Sequence, residues 1–202
     1  MRAQRSNPAP FEITAIRPIG IVFSTYIIGM DGDSVYFIDQ HAAHERILYE
    51  QFLRQYHGRE KFTQQLLTPL IVELPASLRV DPEDSLAVFA AIGYEIEEFG
   101  PNAWSVRAVP AFLSLSEAEA FLSHMMEHME DTATPENRAA VERLISAACK
   151  SAVKAGDNLA DAEIVRLFAD LDACENPYSC PHGRPVFIRM TKRDIEKMFK
   201  RV

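Results

Sequence analysis

Cysteine is scarce in this chain: Cys149, Cys174 and Cys180 are the three among 202 residues. So small and odd a number excludes a disulfide scaffold. It suits a reducing, cytoplasmic setting, where thiols serve as metal ligands or core residues. Long apolar runs are missing too. None approaches the ~20 residues of a membrane span, and the polar start "MRAQRSNPAP" has no signal-peptide core, so no membrane role is expected. Positive charge is in deficit, with 21 Lys and Arg against 29 Asp and Glu and a net charge of −8. A domain that grips nucleic acid unaided is usually basic, because phosphate contacts supply most of the affinity. If this chain acts on DNA, something else delivers it. There is no repeat, no low-complexity tract and no Gly-rich nucleotide loop. What remains is a globular composition, 48% hydrophobic and 25% charged. The length suits one domain or two small ones sharing a core. Roughly 70% of the unfolded surface can then be buried, so folding needs neither metal nor disulfide.

The pattern along the chain predicts an α+β fold. Residues 1–10 resemble the end of a linker. "GIVFSTYIIGMDGDSVYFID" predicts two apolar strands around a "GMDGD" hairpin, the first apolar on both faces and therefore covered on both. A helix is predicted over about 41–56, then a strand at "LLTPLIVELP" and a helix at "DPEDSLAVFAAIG". A second hairpin turns at Gly100-Pro101-Asn102, and "SEAEAFLSHMMEHMED" follows as an amphipathic helix. Thr134 as N-cap and Pro135 predict the start of a long helix ending near Gly156. A helix, the loop "ACENPYSCPHGRP", the strand "VFIRM" and a terminal helix complete the chain. The section from about 66 to 134 has the character of an inserted subdomain.

"FIDQHAAHERILYE" (37–50) concentrates polar groups where a strand passes into a helix. On a helical wheel Ala42, Leu48, Tyr49, Phe52, Leu53 and Tyr56 form one apolar stripe, and Glu45 falls inside it, with His41 one turn earlier. A carboxylate on a core-facing stripe is costly unless paired, protonated or bound to metal. Two readings stand equally at this point. In one, Asp39 caps the helix, Glu45 pairs with an arginine and His41 is ordinary. In the other, Asp39, His41 and Glu45 hold an ion. His44 lies off the stripe, and Glu50 lies on the opposite face.

"CPHGRP" (180–185) sets Cys180 and His182 two apart, on one side of an extended segment. Pro181 and Pro185 stiffen it, Gly183 permits unusual backbone angles, and Arg184 offers a fork for phosphate or carboxylate. Cys149, within "SAACKSAVKAG", sits at helical spacing from Val141, Ile145 and Ala152, which is a core position. It becomes a ligand only if the fold brings it near the other segments. Cys174 reads as a bystander.

Together, "DQHAAHERILYE" (matching DQHA(X)2E(X)4E through Asp39, Gln40, His41, Ala42, Glu45 and Glu50), "ACK" (148–150) and "CPHGRP" resemble the endonuclease-bearing C-terminal domains of the MutL mismatch-repair family. The resemblance spans about residues 10–202. It implies a dimerisation and endonuclease subdomain from 11–64 and 146–202, with a smaller regulatory subdomain inserted at 65–145. It also implies a metal-dependent nick in one strand of duplex DNA, supported by manganese (magnesium being an alternative) and influenced by zinc. Asp39, His41 and Glu45 are then the catalytic candidates. These three with Cys149, Cys180 and His182 are the metal-site candidates, and Arg184 would meet a phosphate or brace the loop. Implied partners are a second copy of the chain, DNA held weakly, a sliding clamp and the mismatch-recognition protein MutS, in the cytoplasm near the nucleoid. ATP would act only through an N-terminal ATPase that this chain does not contain.

"QQLLTP" (64–69) fits the short Q-x-x-L-x-P form of clamp-binding motifs through Gln64, Leu67 and Pro69, although so short a pattern also occurs by chance. "HMMEH" (124–128) formally matches an H-x-x-E-H zinc-peptidase pattern, but Phe121, Leu122, Met125, Met126 and Met129 make its helix an ordinary amphipathic one. The rival to a nuclease is a non-catalytic, zinc-stabilised dimerisation module. Such a module would be expected to lack the first motif, which is complete here.

Overall fold

The apolar stretch at residues 20–28, which the sequence suggests is one strand, is two. In the computed structural model, which describes residues 12–58, 61–75, 78, 82–129, 133–153 and 159–201, β1 (Arg17–Val22) turns back into β2 (Tyr26–Asp31). The turn has Phe23 at φ 54° and Ser24 at φ 49°, a left-handed conformation that side chains resist. Neither residue type advertises such a turn, which is why periodicity ran straight through it. The β2–β3 hairpin lies where "GMDGD" puts it: β3 is Ser34–Asp39, and Gly32 takes φ 52°.

The chain forms two compact units, Met1–His44 with Ala155–Val202, and Glu45–Lys154. The sequence-based division set the insertion at 65–145. The observed unit is wider because most of α1 (Gln40–His57) and of α4 (Arg138–Ala152) buries side chains in one core with the inserted elements. The tail 1–10 and the expected helix end at Gly156 lie outside the described residues.

The unit built from both chain ends is an antiparallel sheet in the order β1-β2-β3-β7, with β7 at Phe187–Thr191. α5 (Asp161–Asp172) supplies Ile164, Leu167, Phe168 and Leu171 to its interior. Asp172 Oδ1 accepts the Ile13 N–H at 2.9 Å and ties the start of the described chain to the end of α5. α6 (Lys192–Met198) opens with a capping box from Thr191 and Asp194. Ile19, Phe23, Tyr26 and Ile188 remain exposed on this unit.

The inserted unit has a sheet in the order β4-β6-β5 (Thr63–Glu73, Ala103–Pro110, Glu95–Glu98). With it go α2 (Pro82–Ala91), α3 (Leu115–His128) and α4. Phe52 of α1 stacks on Phe121 of α3, centroids 4.0 Å apart, inside a core that includes Trp104 and Phe89. α4 begins three residues later than the Thr134-Pro135 pattern suggests. Asn137 caps it, accepting the Ala140 N–H, while the Asn137 N–H closes a turn onto the Thr134 carbonyl. Asparagine is as good a cap as threonine, so the nearer turn wins.

Candidate metal centre

Asp39 is the last residue of β3 and the entrance to α1. Its Oδ1 accepts the Ala42 N–H at 3.0 Å, so the capping half of the sequence reading is realised, and Oδ2 is left for another partner. Its backbone N–H donates to the Val186 carbonyl at 2.8 Å. That bond fastens the first motif to the residue that follows CPHGRP, 147 positions away in the chain. Gln40 secures the junction from the other side. Its N–H donates to the Thr25 carbonyl (3.1 Å) and its side-chain amide to the Ser24 carbonyl (2.9 Å), holding the left-handed β1–β2 turn. The sequence marked Gln40 only as part of a motif; its work is positional.

CPHGRP is a closed loop. Cys180 N–H donates to the Arg184 carbonyl (2.8 Å), Gly183 N–H donates to the Cys180 carbonyl (2.9 Å), and Ser179 pairs with Pro185 in an isolated bridge. Gly183 has φ 84°, which a side chain would strain. Cys180 is 1% exposed, whereas His182 and Arg184 face solvent.

Along α1, Glu45 is fully buried and lies one turn after His41. Glu45, Cys180 and His182 offer ligand atoms that all lie within 4.8 Å of one another, the one such group of three among the described residues. Asp39, His41 and Cys149 are not in that trio. Cys149 is buried on α4, and its thiol is pushed well above the ordinary range, by burial first and then by the Glu45 carboxylate. Both influences disfavour the thiolate, so the thiol is the resting form at neutral pH.

Carboxylate, thiol and imidazole are a donor set that suits zinc, and the carboxylates also suit manganese or magnesium. Two of the three donors are withdrawn from water, where an anion is costly unless compensated. The donor chemistry of these residues therefore fits a divalent ion.

The rest of the motif differs from expectation in one respect. Glu50, placed by the helical wheel on the face opposite the apolar stripe, is 7% exposed and meets Arg46, itself 8% exposed, at 3.5 Å. α1 is covered nearly all round at its start, as Ala43 and Ile47 also show. A wheel drawn for a half-buried helix could not place them.

On β4, the pairing with β6 is interrupted between Gln65 and Leu70. The interruption pushes Leu67 fully into solvent, with Gln64 exposed beside it and Pro69, which has no N–H to give the ladder, inside the bulge. In HMMEH, His124 and His128 stack on each other at 4.1 Å, and Ser151 Oγ meets His124 Nδ1 at 2.9 Å. No third ligand joins the two histidines in a metal-binding group among the described residues.

The family model for the MutL C-terminal dimerisation domain matches residues 19–159. Curated relatives carry the name DNA mismatch repair protein MutL. The DNA mismatch repair protein MutL of Thermoanaerobacter pseudethanolicus is 46% identical over 199 residues, 97% of this chain and 32% of that protein. The protein of the same name from Endomicrobium trichonymphae is 37% identical over 200 residues, 99% of this chain and 33% of that protein. The chain thus spans about a third of the length of the relatives it matches.

Proposed function

The chain belongs to the MutL C-terminal dimerisation-domain family, and from that premise we propose that it is the homodimerising, strand-nicking part of a mismatch-repair protein. The observation that carries the nuclease reading is the grouping of the ligand atoms of Glu45, Cys180 and His182 within 4.8 Å of one another. In this proposal Glu45, Cys180 and His182 anchor zinc, with Cys149 and His41 as further ligands. Asp39 and Glu45 hold manganese or magnesium. A bound ion pair of this kind would activate water and stabilise the leaving oxygen of a phosphodiester. Asp39 supplies negative charge at the solvent side, and exposed Arg184 offers its fork to a DNA phosphate. The experiment is a supercoiled-plasmid nicking assay with manganese, with and without chelator. Manganese-dependent relaxed circles support a nuclease. Zinc-bound dimers that never nick, even with the ATPase half and the clamp supplied, support the non-catalytic module instead.

The exposed Ile19, Phe23, Tyr26 and Ile188 fit the dimer, because an apolar surface of this kind is costly to leave in water. No helix among the described residues is long and apolar enough to cross a membrane, and we place the protein in the cytoplasm, with MutS and ATP acting through parts of the longer protein.

With a net charge of −8 the domain has little grip on DNA, so delivery falls to the sliding clamp through Gln64, Leu67 and Pro69. Gln64→Ala with Leu67→Ala is expected to abolish clamp stimulation of nicking, at least about tenfold as for the loss of an interface anchor. Both residues are exposed, so the dimer measured by sedimentation should be unchanged. Stimulation that persists would remove the motif from the account.

A further inference from the structure

Among the described residues, a cavity of about 330 Å³ opens on the inserted unit between β4 and α3. This is the lower end of the usual ligand-site range, roughly 300–1,000 Å³. Leu70 and Val72 of β4 and Met126 of α3 make an apolar floor, and Glu73, Glu119 and Glu127 line it with carboxylates. Glu119, Ser123 and Glu127 follow one another at i, i+4 and i+8, so they form a stripe along a single face of the helix. Ser123 Oγ donates to Glu127 Oε1 at 3.1 Å and orients that carboxylate. No lysine or arginine among the described residues lines the space.

The strand that forms one wall is the edge of its sheet. In the order β4-β6-β5 it is paired by β6 on one side, and no strand of the described chain takes the other. No β5 or β6 side chain lines the cavity, which sets it towards the outer side of β4 rather than over the middle of the sheet. An edge strand presents a row of N–H and C=O groups to any extended chain laid beside it. A groove between an edge strand and a helix supports strand addition, in which backbone bonds give affinity and alternate side chains enter the groove.

We propose that this groove docks an extended, cationic segment of a partner protein, added as a fourth strand beside β4. Its basic side chains meet Glu119 and Glu127, and an apolar side chain covers Met126. The carboxylates select the charge of the partner, and like-charged segments are turned away. The clamp motif at Gln64–Pro69 lies earlier on the same strand, so clamp and segment use separate stretches of β4. The proposal does not depend on the metal centre.

The test uses the complete 202-residue chain and a fluorescein-labelled hexapeptide Lys-Ser-Leu-Ser-Lys-Ser, whose Lys, Leu and Lys side chains share one face of an extended strand, read by fluorescence anisotropy. Saturable binding is expected, and Glu119→Lys with Glu127→Lys should weaken it at least about tenfold. Asp31→Lys with Glu196→Lys makes the same change of net charge on the other unit and should leave the affinity within about twofold. Methylating alternate peptide amides should weaken binding about tenfold, since those groups would bond the β4 edge. The proposal is overturned by an absence of saturable binding. It is also overturned if both charge pairs weaken binding equally, or if the methylated peptide binds like the parent.

Discussion

Asp39→Asn is expected to lower manganese-dependent nicking by at least about 100-fold while leaving the fold intact. Loss of a group that merely orients a metal ligand already costs 10–100-fold in affinity or activity, and a carboxylate that holds the ion should cost no less. The substitution is selective for a structural reason. Asparagine is as good a helix N-cap as aspartate, so the bond from the Ala42 N–H survives, as does the backbone bond from residue 39 to Val186. Only the charge is lost, and its interaction with the α1 dipole is worth about 0.3–1 kcal/mol. Thermal unfolding and dimerisation should therefore match wild type. Nicking at the wild-type rate would remove Asp39 from the site and leave it a cap.

The second large effect is on stability. Phe52→Ala is expected to destabilise the inserted unit by about 3–5 kcal/mol, the usual cost of deleting a fully buried aromatic side chain. Phe52 has no exposure, stacks on Phe121 at 4.0 Å and meets Phe112 edge-on at 4.9 Å. Few rearrangements can refill a space bounded by two rings, so the cavity should persist. Because α1 also carries His41 and Glu45, the lost packing should loosen metal retention as the unit unfolds. Denaturant titration followed by circular dichroism measures it. A loss below about 1 kcal/mol would mean that the aromatic cluster is not what holds α1.

Much of the candidate site was legible because its residues contradict their surroundings. Glu45 on an apolar stripe and a rigid Cys-Pro-His loop both ask for an explanation that solvent exposure does not provide. Other features left no trace in the pattern. The turn at Phe23 and Ser24 uses backbone angles without the glycine or asparagine that usually announces them. The buried Arg46–Glu50 pair was invisible because periodicity reports one covered face, and α1 is covered on more than one. The start of α4 was misplaced by competition between two acceptable caps, Thr134 and Asn137. The acidic groove depends on which residues of β4 and α3 meet across tertiary space, and no local spacing encodes that.

The central claim is that α1 and the CPHGRP loop supply one metal centre. Cobalt(II) titration of the chain tests it most directly, because a thiolate ligand gives cobalt a near-ultraviolet charge-transfer band that oxygen and nitrogen ligands do not. The account predicts a saturable band for wild type, retained by Cys174→Ser, weakened in Cys180→Ser and lost when Cys149→Ser is added to it. A wild-type chain without the band, or a Cys180→Ser chain whose band matches wild type, would contradict the account.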